Sequence, residues 1–206
     1  RYRYAQQGEV GAWNFARLLE SISPLMEEPK SLHEALDSYY ESYRGHSSHM
    51  WAQKLGLDGF QEGDGDLVSE LTSVMQLTET DMTILFRTLS TIQEPDSNHL
   101  TRAFYKEEEI PQKEWNSWLD RWWSRVDGRP DRESMLNANP KYVLRNWIAQ
   151  LAIDAAEKED YSVATALYEM LKKPYDEQPG NEEKWFIRRP EWARNRVGCS
   201  MLSCSS

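Results

Sequence analysis

Two thiols, Cys199 and Cys204, fall within the last eight residues of the chain, and Cys204 lies two positions from the end. A cysteine so placed need not be held by a packed element, so it is open to disulfide exchange, to metal binding, or to neither. Zinc would require further ligands, and the histidines are distant in sequence. His46 and His49, at i and i+3 on a predicted helix, match no strong metal spacing, and no metal ligand is assigned. Glu107-Glu108-Glu109 is a run of neighbours that do not face one another on a helix, and reads as a solvated charge run. Trp118, Trp122 and Trp123 could form an aromatic cage, but their helical spacing favours core packing. The chain has no G-x-x-x-x-G-K-[ST], no glycine-rich strand-turn-strand, no His-Arg-Asp loop, no Asp-Phe-Gly and no G-x-S-x-G. On its own residues it holds no catalytic, cofactor-binding or metal-binding set.

Composition bounds the remaining possibilities. With 206 residues, 39% hydrophobic and 12% aromatic, the chain can bury a core of its own. Its formal net charge of -10, with Lys and Arg in short pairs such as Lys172-Lys173 and Arg188-Arg189, argues against nucleic acid as a partner. No apolar run is long enough to span a bilayer, so a soluble protein is expected, with no membrane partner. Arg1-Tyr2-Arg3-Tyr4 has neither the apolar centre of a signal peptide nor the bias of a transit peptide, and the chain is expected to be cut from a longer one. Both cysteines lie at one end, where they cannot staple the body of the fold, which suits a reducing compartment.

Helical periodicity runs through most of the chain. Trp13, Ala16, Leu19, Ile22 and Leu25 predict a first helix ending before Pro29. A second is expected from about Ser31 to Leu55, with Gly45 a weak point and Gly56 its cap. The segment 58–66 reads as a polar, glycine-rich loop, after which Leu67, Val68, Leu71, Val74 and Met75 restore the stripe. Thr78 to Asp81 reads as a capping box for a helix carrying Met82, Leu85, Phe86 and Leu89. Pro95-Asp96-Ser97 is a turn, residues 98 to 105 suggest a short helix, and Trp115, Trp118, Leu119, Trp122 and Val126 mark a helix that Gly128-Arg129-Pro130 breaks. Asn139-Pro140 has the chemistry of a helix start, predicting a helix with Val143, Leu144, Trp147, Ile148, Leu151, Ala152 and Ala155 on one face. Another helix carries Ala164, Leu167, Met170 and Leu171. Lys172-Lys173-Pro174 is expected to end the regular structure, leaving a tail that Trp185, Phe186 and Trp192 pin down. The predicted architecture is all-α, with roughly seven to nine helices.

Three blocks of this sequence together resemble the C-terminal part of the selenoprotein O (SelO) family: Arg1-Tyr2-Arg3-Tyr4-Ala5-Gln6-Gln7 with Trp13-Asn14, the run Asn139-Pro140-Lys141-Tyr142-Val143-Leu144-Arg145-Asn146, and the ending Ser203-Cys204-Ser205-Ser206. Asp81-Met82-Thr83 before Phe86-Arg87-Thr88-Leu89-Ser90, and Lys173-Pro174-Tyr175, fall between them in family order. The resemblance implies a kinase-like (pseudokinase) fold of which this chain is the helical C-lobe portion, residues 1–175, followed by a tail, 176–206, with a redox cysteine. It also implies AMP transfer from ATP, with Mg²⁺ or Mn²⁺, to Ser, Thr or Tyr hydroxyls of protein substrates. The catalytic residues would lie upstream of Arg1, leaving this portion inactive alone and partnered by the missing N-terminal part of its own domain. A further implication is that Cys204, at the position where animal members carry selenocysteine, pairs with an activation-loop cysteine and gates activity by redox state.

The same resemblance leaves a bacterial cytoplasm or, in a eukaryote, a mitochondrion as the expected location. UMP transfer, reported for bacterial relatives, is one alternative. From a different class, a stand-alone all-α interaction module is the other. Gly8 stands where the family usually has proline, which is expected to loosen the entry to the first helix. The segment between Ser90 and Asn137 is shorter than in many members. Arg145 and Asn146 read as cap and salt-bridge residues rather than catalytic ones.

Overall fold

The computed structural model describes residues 6–25 and 30–199. Among these residues the regular structure is helical, and an isolated antiparallel bridge pairs Thr80 with Phe104. The helices are α1 (Gln7–Ile22), α2 (Lys30–Leu55), α3 (Asp64–Val74), α4 (Met82–Leu89), α5 (Gln112–Arg125), α6 (Arg132–Ala138), α7 (Asn146–Ala156), α8 (Ser162–Leu171) and α9 (Pro179–Trp185). Short 3-10 turns span Ser23–Leu25, Ser97–Ala103, Glu107–Glu109 and Glu191–Ala193. The all-α expectation holds. No helix among the described residues is long and apolar enough to cross a membrane.

The chain divides into two compact units, Arg1–Trp51 and Ala52–Ser206. In the first, α1 lies against α2 through aromatic rings. The Tyr39 hydroxyl donates to the Gly8 carbonyl at 3.0 Å, and the Phe15 and Tyr39 ring centroids are 5.9 Å apart. Gly8 lies inside α1, and a Cβ there would meet the Tyr43 ring at 2.3 Å, so its missing side chain seats a tyrosine rather than loosening the helix entry. The face buried on α1 is Gly8, Ala12 and Leu19. Trp13 and Leu25, read from the periodicity as part of that face, are 54% and 84% exposed. The helix α2 runs unbroken through Gly45.

The second unit is built around tryptophans. Spacing of three and four residues along α5 puts Trp115, Trp118 and Trp122 on one face, and all three are buried. Trp118 and Trp122 stack with their rings 3° from parallel. A buried indole N–H is costly unless it finds an acceptor, and two of the three find a carbonyl on a different helix, Trp118 donating to Leu67 at 2.9 Å and Trp122 to Leu55 at 2.8 Å, whereas Trp115 Nε1 has no acceptor among the described residues. Trp118 and Trp122 are core, as their spacing predicts, whereas Trp123 is half-buried. The glycine-rich segment before α3 is organised by charge. Asp64 is buried and receives Arg125 through Nε at 2.8 Å and Nη2 at 3.0 Å, while its second oxygen accepts the Gln61 amide.

Gly56 closes α2 as expected. Its φ of +65° is left-handed, its amide donates to the Gln53 carbonyl, and the Leu57 amide donates to Ala52 at 2.9 Å. Three expectations change. Asp81 is itself the N-cap of α4, accepting the Ile84 amide at 3.1 Å, so Thr78 opens no capping box. A helix that the periodicity missed, α6, occupies Arg132–Ala138. Past Pro174 the chain adds α9, against the expectation that regular structure ends there.

Replacing Gly56 by Ala would bring a Cβ to 2.9 Å from the Asp131 amide nitrogen at a left-handed φ. The expected loss is about 2 kcal/mol or more, read as a lower urea midpoint. Gly65, inside α3 with no neighbour within 4 Å of its built Cβ, is the control. Its replacement by Ala should cost nothing, or stabilise by up to about 1 kcal/mol.

Candidate functional site

Residues 139–145, expected to open a helix, form an extended strap instead, and α7 begins only at Asn146. The reason is that Asn139, which would have capped such a helix, is committed elsewhere. Its Oδ1 accepts Lys54 Nζ at 2.7 Å, and its Nδ2 donates to the Lys54 carbonyl at 3.0 Å and to Ser90 Oγ at 3.3 Å. The Lys141 and Tyr142 amides both donate to the Pro174 carbonyl, at 2.9 and 3.0 Å. Those amides therefore have partners outside any helix, and Tyr142 is buried beneath them. Val143 and Leu144, read as part of an apolar helix face, are 37% and 53% exposed, while Trp147 and Ile148 are buried as expected.

Two charge networks hold this strap. In the first, Arg87 of α4 is buried, and its Nη1 donates to the carbonyls of Leu136 and Asn139, each at 3.0 Å. Its Nη2 donates to the Tyr175 carbonyl at 2.9 Å and to Glu177 Oε1 at 2.6 Å. Lys141, also buried, extends between Glu177 at 2.6 Å and Glu182 at 2.8 Å. The Tyr142 hydroxyl donates to the carbonyls of Glu177 and Gln178. In the second, Arg145 forms a fork on Asp81, Nη1 to Oδ2 at 2.5 Å and Nη2 to Oδ1 at 3.1 Å. Beside it, Glu79 takes Arg189 at 2.6 Å and Arg194 at 2.9 Å.

The electrostatics follow from these contacts. Lys141 holds the Glu177 carboxyl below its ordinary range, with Arg87 adding to this against burial. It does the same for Glu182, with Arg102 contributing. For Lys141 itself burial opposes the charge, but the two glutamates outweigh it and raise the ammonium pKa. Burial likewise works against ionisation of Glu79, and Arg194 and Arg189 overcome it. Burial raises the Tyr105 hydroxyl, whose oxygen accepts the Arg189 amide at 2.9 Å. Each charge is answered by its partners and none faces an open nucleophile. The arrangement clamps chain segments together.

Of the residues singled out from sequence, Cys204 lies outside the described residues. Cys199 is a buried free thiol. His46 and His49 are exposed, and among the described residues no group of three or more His, Cys, Asp or Glu could hold a metal ion. Glu107-Glu108-Glu109 is an exposed 3-10 turn. Arg145 does form a salt bridge. Sequence reasoning missed Arg87, Lys141, Tyr142, Glu177 and Glu182. The one available signal was an arginine set inside the apolar run Ile84-Leu85-Phe86-Arg87-Thr88-Leu89, a position that folding tolerates only if the charge is answered.

This helical chain is similar to several proteins named as protein nucleotidyltransferases. A protein nucleotidyltransferase YdiU of Flavobacterium johnsoniae is 47% identical over 219 residues, covering 100% of this chain and 42% of that protein. Proteins of the same name from Rhodopirellula baltica and Aromatoleum aromaticum are 43% and 41% identical and are covered over 42% and 41% of their lengths. The chain thus spans about two-fifths of the curated relatives it matches. The family model described as protein adenylyltransferase SelO matches residues 1–172, and the chain belongs to the SelO family.

Arg87→Met would orphan the carbonyls of Leu136, Asn139 and Tyr175 and remove part of the Glu177 contact, and is expected to cost about 3 kcal/mol in urea unfolding. Glu177→Gln, whose side chain is 62% exposed, should cost less than about 1 kcal/mol at neutral pH. Because the folded-state pKa values of Glu177 and Glu182 lie below the ordinary 4.5, their contribution is present above that value and lost as pH falls through the depressed values. Lys141, raised above 10.5, gives the opposite case: its contribution is full below 10.5 and is lost as pH climbs through the raised value. Urea midpoints measured against pH should show both flanks, with Glu177→Gln flattening the acid flank.

Proposed function

We propose that this chain is the C-terminal, C-lobe portion of a protein adenylyltransferase, one that moves AMP from ATP to Ser, Thr or Tyr hydroxyls of target proteins. Its role is structural support for an active site contributed by the rest of the protein. The observation that carries this reading is the SelO family match over residues 1–172, in a chain that covers about two-fifths of relatives named as nucleotidyltransferases. The strap junction fits a supporting role, because the charges of Arg87, Lys141 and Arg145 are consumed in pairs with carboxylates. ATP with Mg²⁺ or Mn²⁺ would then bind to the remainder of the protein, and none is assigned to this portion. Residues 1–175 would form the lobe and 176–206 a tail whose Cys204 responds to redox state, in a bacterial cytoplasm or a mitochondrion. The relatives' name specifies no base, which favours keeping UMP transfer as the second reading.

The full-length protein, incubated with Mg²⁺ or Mn²⁺ and a protein acceptor, should label the acceptor from α-labelled ATP, with an adenylate mass increment on a hydroxyl residue. Labelling from UTP in preference to ATP would replace AMP with UMP as the transferred group. No labelling from either would overturn the transferase reading. The separately expressed 206-residue chain should label nothing. Cys204→Ser in the full-length protein should remove any change in rate between oxidising and reducing buffer.

A further inference from the structure

The lysines in this fold fall into contrasting environments. Lys141 and Lys106 each sit against carboxylates, Glu177 with Glu182 and Glu109 respectively, which stabilise the ammonium form. Lys54, in the last turn of α2, has no carboxylate partner among the described residues. Its Nζ donates to a neutral amide oxygen, Asn139 Oδ1 at 2.7 Å, and lies 4.3 Å from the centroid of the Phe86 ring. Around it is a mostly apolar cavity of about 150 Å³ lined by Met82, Thr83, Phe86, Asn139 and Pro140. Met82, Thr83 and Pro140 are partly exposed, so the cavity opens to small solutes.

We propose that Lys54 is a nucleophilic lysine and the site at which small activated acyl donors, acyl phosphates in particular, modify this chain. The amide of Asn139 orients the amine without fixing its charge. The Phe86 face and the apolar wall leave room beside Nζ for a short acyl group. Burial lowers the ammonium pKa of Lys54, and no charged neighbour contributes to that shift, so a larger share is free amine near neutrality. In the reaction the lone pair of Nζ attacks the acyl carbon. A C–N bond forms, the C–O bond to phosphate breaks, inorganic phosphate departs with the electron pair, and the extra ammonium proton passes to water. The product amide carries no charge, so Phe86 loses its cation contact and the tie from α2 to the strap at Asn139 weakens.

The test is acetylation of the full chain by acetyl phosphate across a pH series, with site-resolved rates from peptide mass spectrometry. Lys54→Arg assigns the peptide, since its label should disappear while exposed lysines keep theirs. The expected result is a rate-against-pH midpoint for Lys54 below those of the exposed Lys113 and Lys158 in the same sample. A midpoint at or above theirs overturns the proposal. So does an unmodified Lys54 in a sample where Lys113 and Lys158 have reacted to completion.

Discussion

A buried guanidinium cannot stay unanswered, and in the second unit of this chain that constraint falls on Arg87. Its two terminal nitrogens reach the carbonyls of Leu136, Asn139 and Tyr175 and the carboxylate of Glu177. These acceptors come from two stretches distant from Arg87 in sequence: the end of α6 running into the strap, and the segment leading to α9. Removing a charge from water is expensive, and the cost is recovered only when nearly every donor finds an oxygen in good geometry. Arg87 therefore dictates where those two stretches can run. The Glu177 carboxylate, being largely exposed, adds less than the buried carbonyls do.

Lys141 and Tyr142 complete the same junction from the strap side. Pinning both amides on the Pro174 carbonyl, and the Tyr142 hydroxyl on the carbonyls of Glu177 and Gln178, fixes the start of α9 against the strap. Trp185 and Phe186 then bury their rings, with Lys141 Nζ 5.2 Å from the Phe186 centroid. The Arg145 fork on Asp81 adds a second anchor, at a residue that also caps α4. One carboxylate thereby begins a helix and receives the end of the strap. A segment so tied is suited to hold position.

Lysine 54 and lysine 141 show how much environment decides. Both are close to the strap, but one meets two glutamates and the other an amide oxygen and a ring. The same side chain is favoured as the ammonium in one place and is a candidate nucleophile in the other, because pairing favours the ammonium and uncompensated burial disfavours it.

The sequence by itself determined the all-α class and most helix positions, since a period of 3.6 residues with a wide apolar stripe is a local property that survives without knowledge of partners. The ends marked by Gly56 and by Gly128-Arg129-Pro130 were legible for the same local reason, as was the burial of Trp118 and Trp122. Family membership was legible too, in blocks of residues distributed along the chain. What only the tertiary structure decided was the fate of Asn139-Pro140. Those residues have the chemistry of a helix start, but Lys54, Ser90 and Pro174, all distant in sequence, take up the groups that a helix would use. The charge clamp was hidden likewise, because whether Arg87, Lys141 and Glu177 meet depends on the long-range course of the chain, and no local pattern encodes a contact across ninety residues.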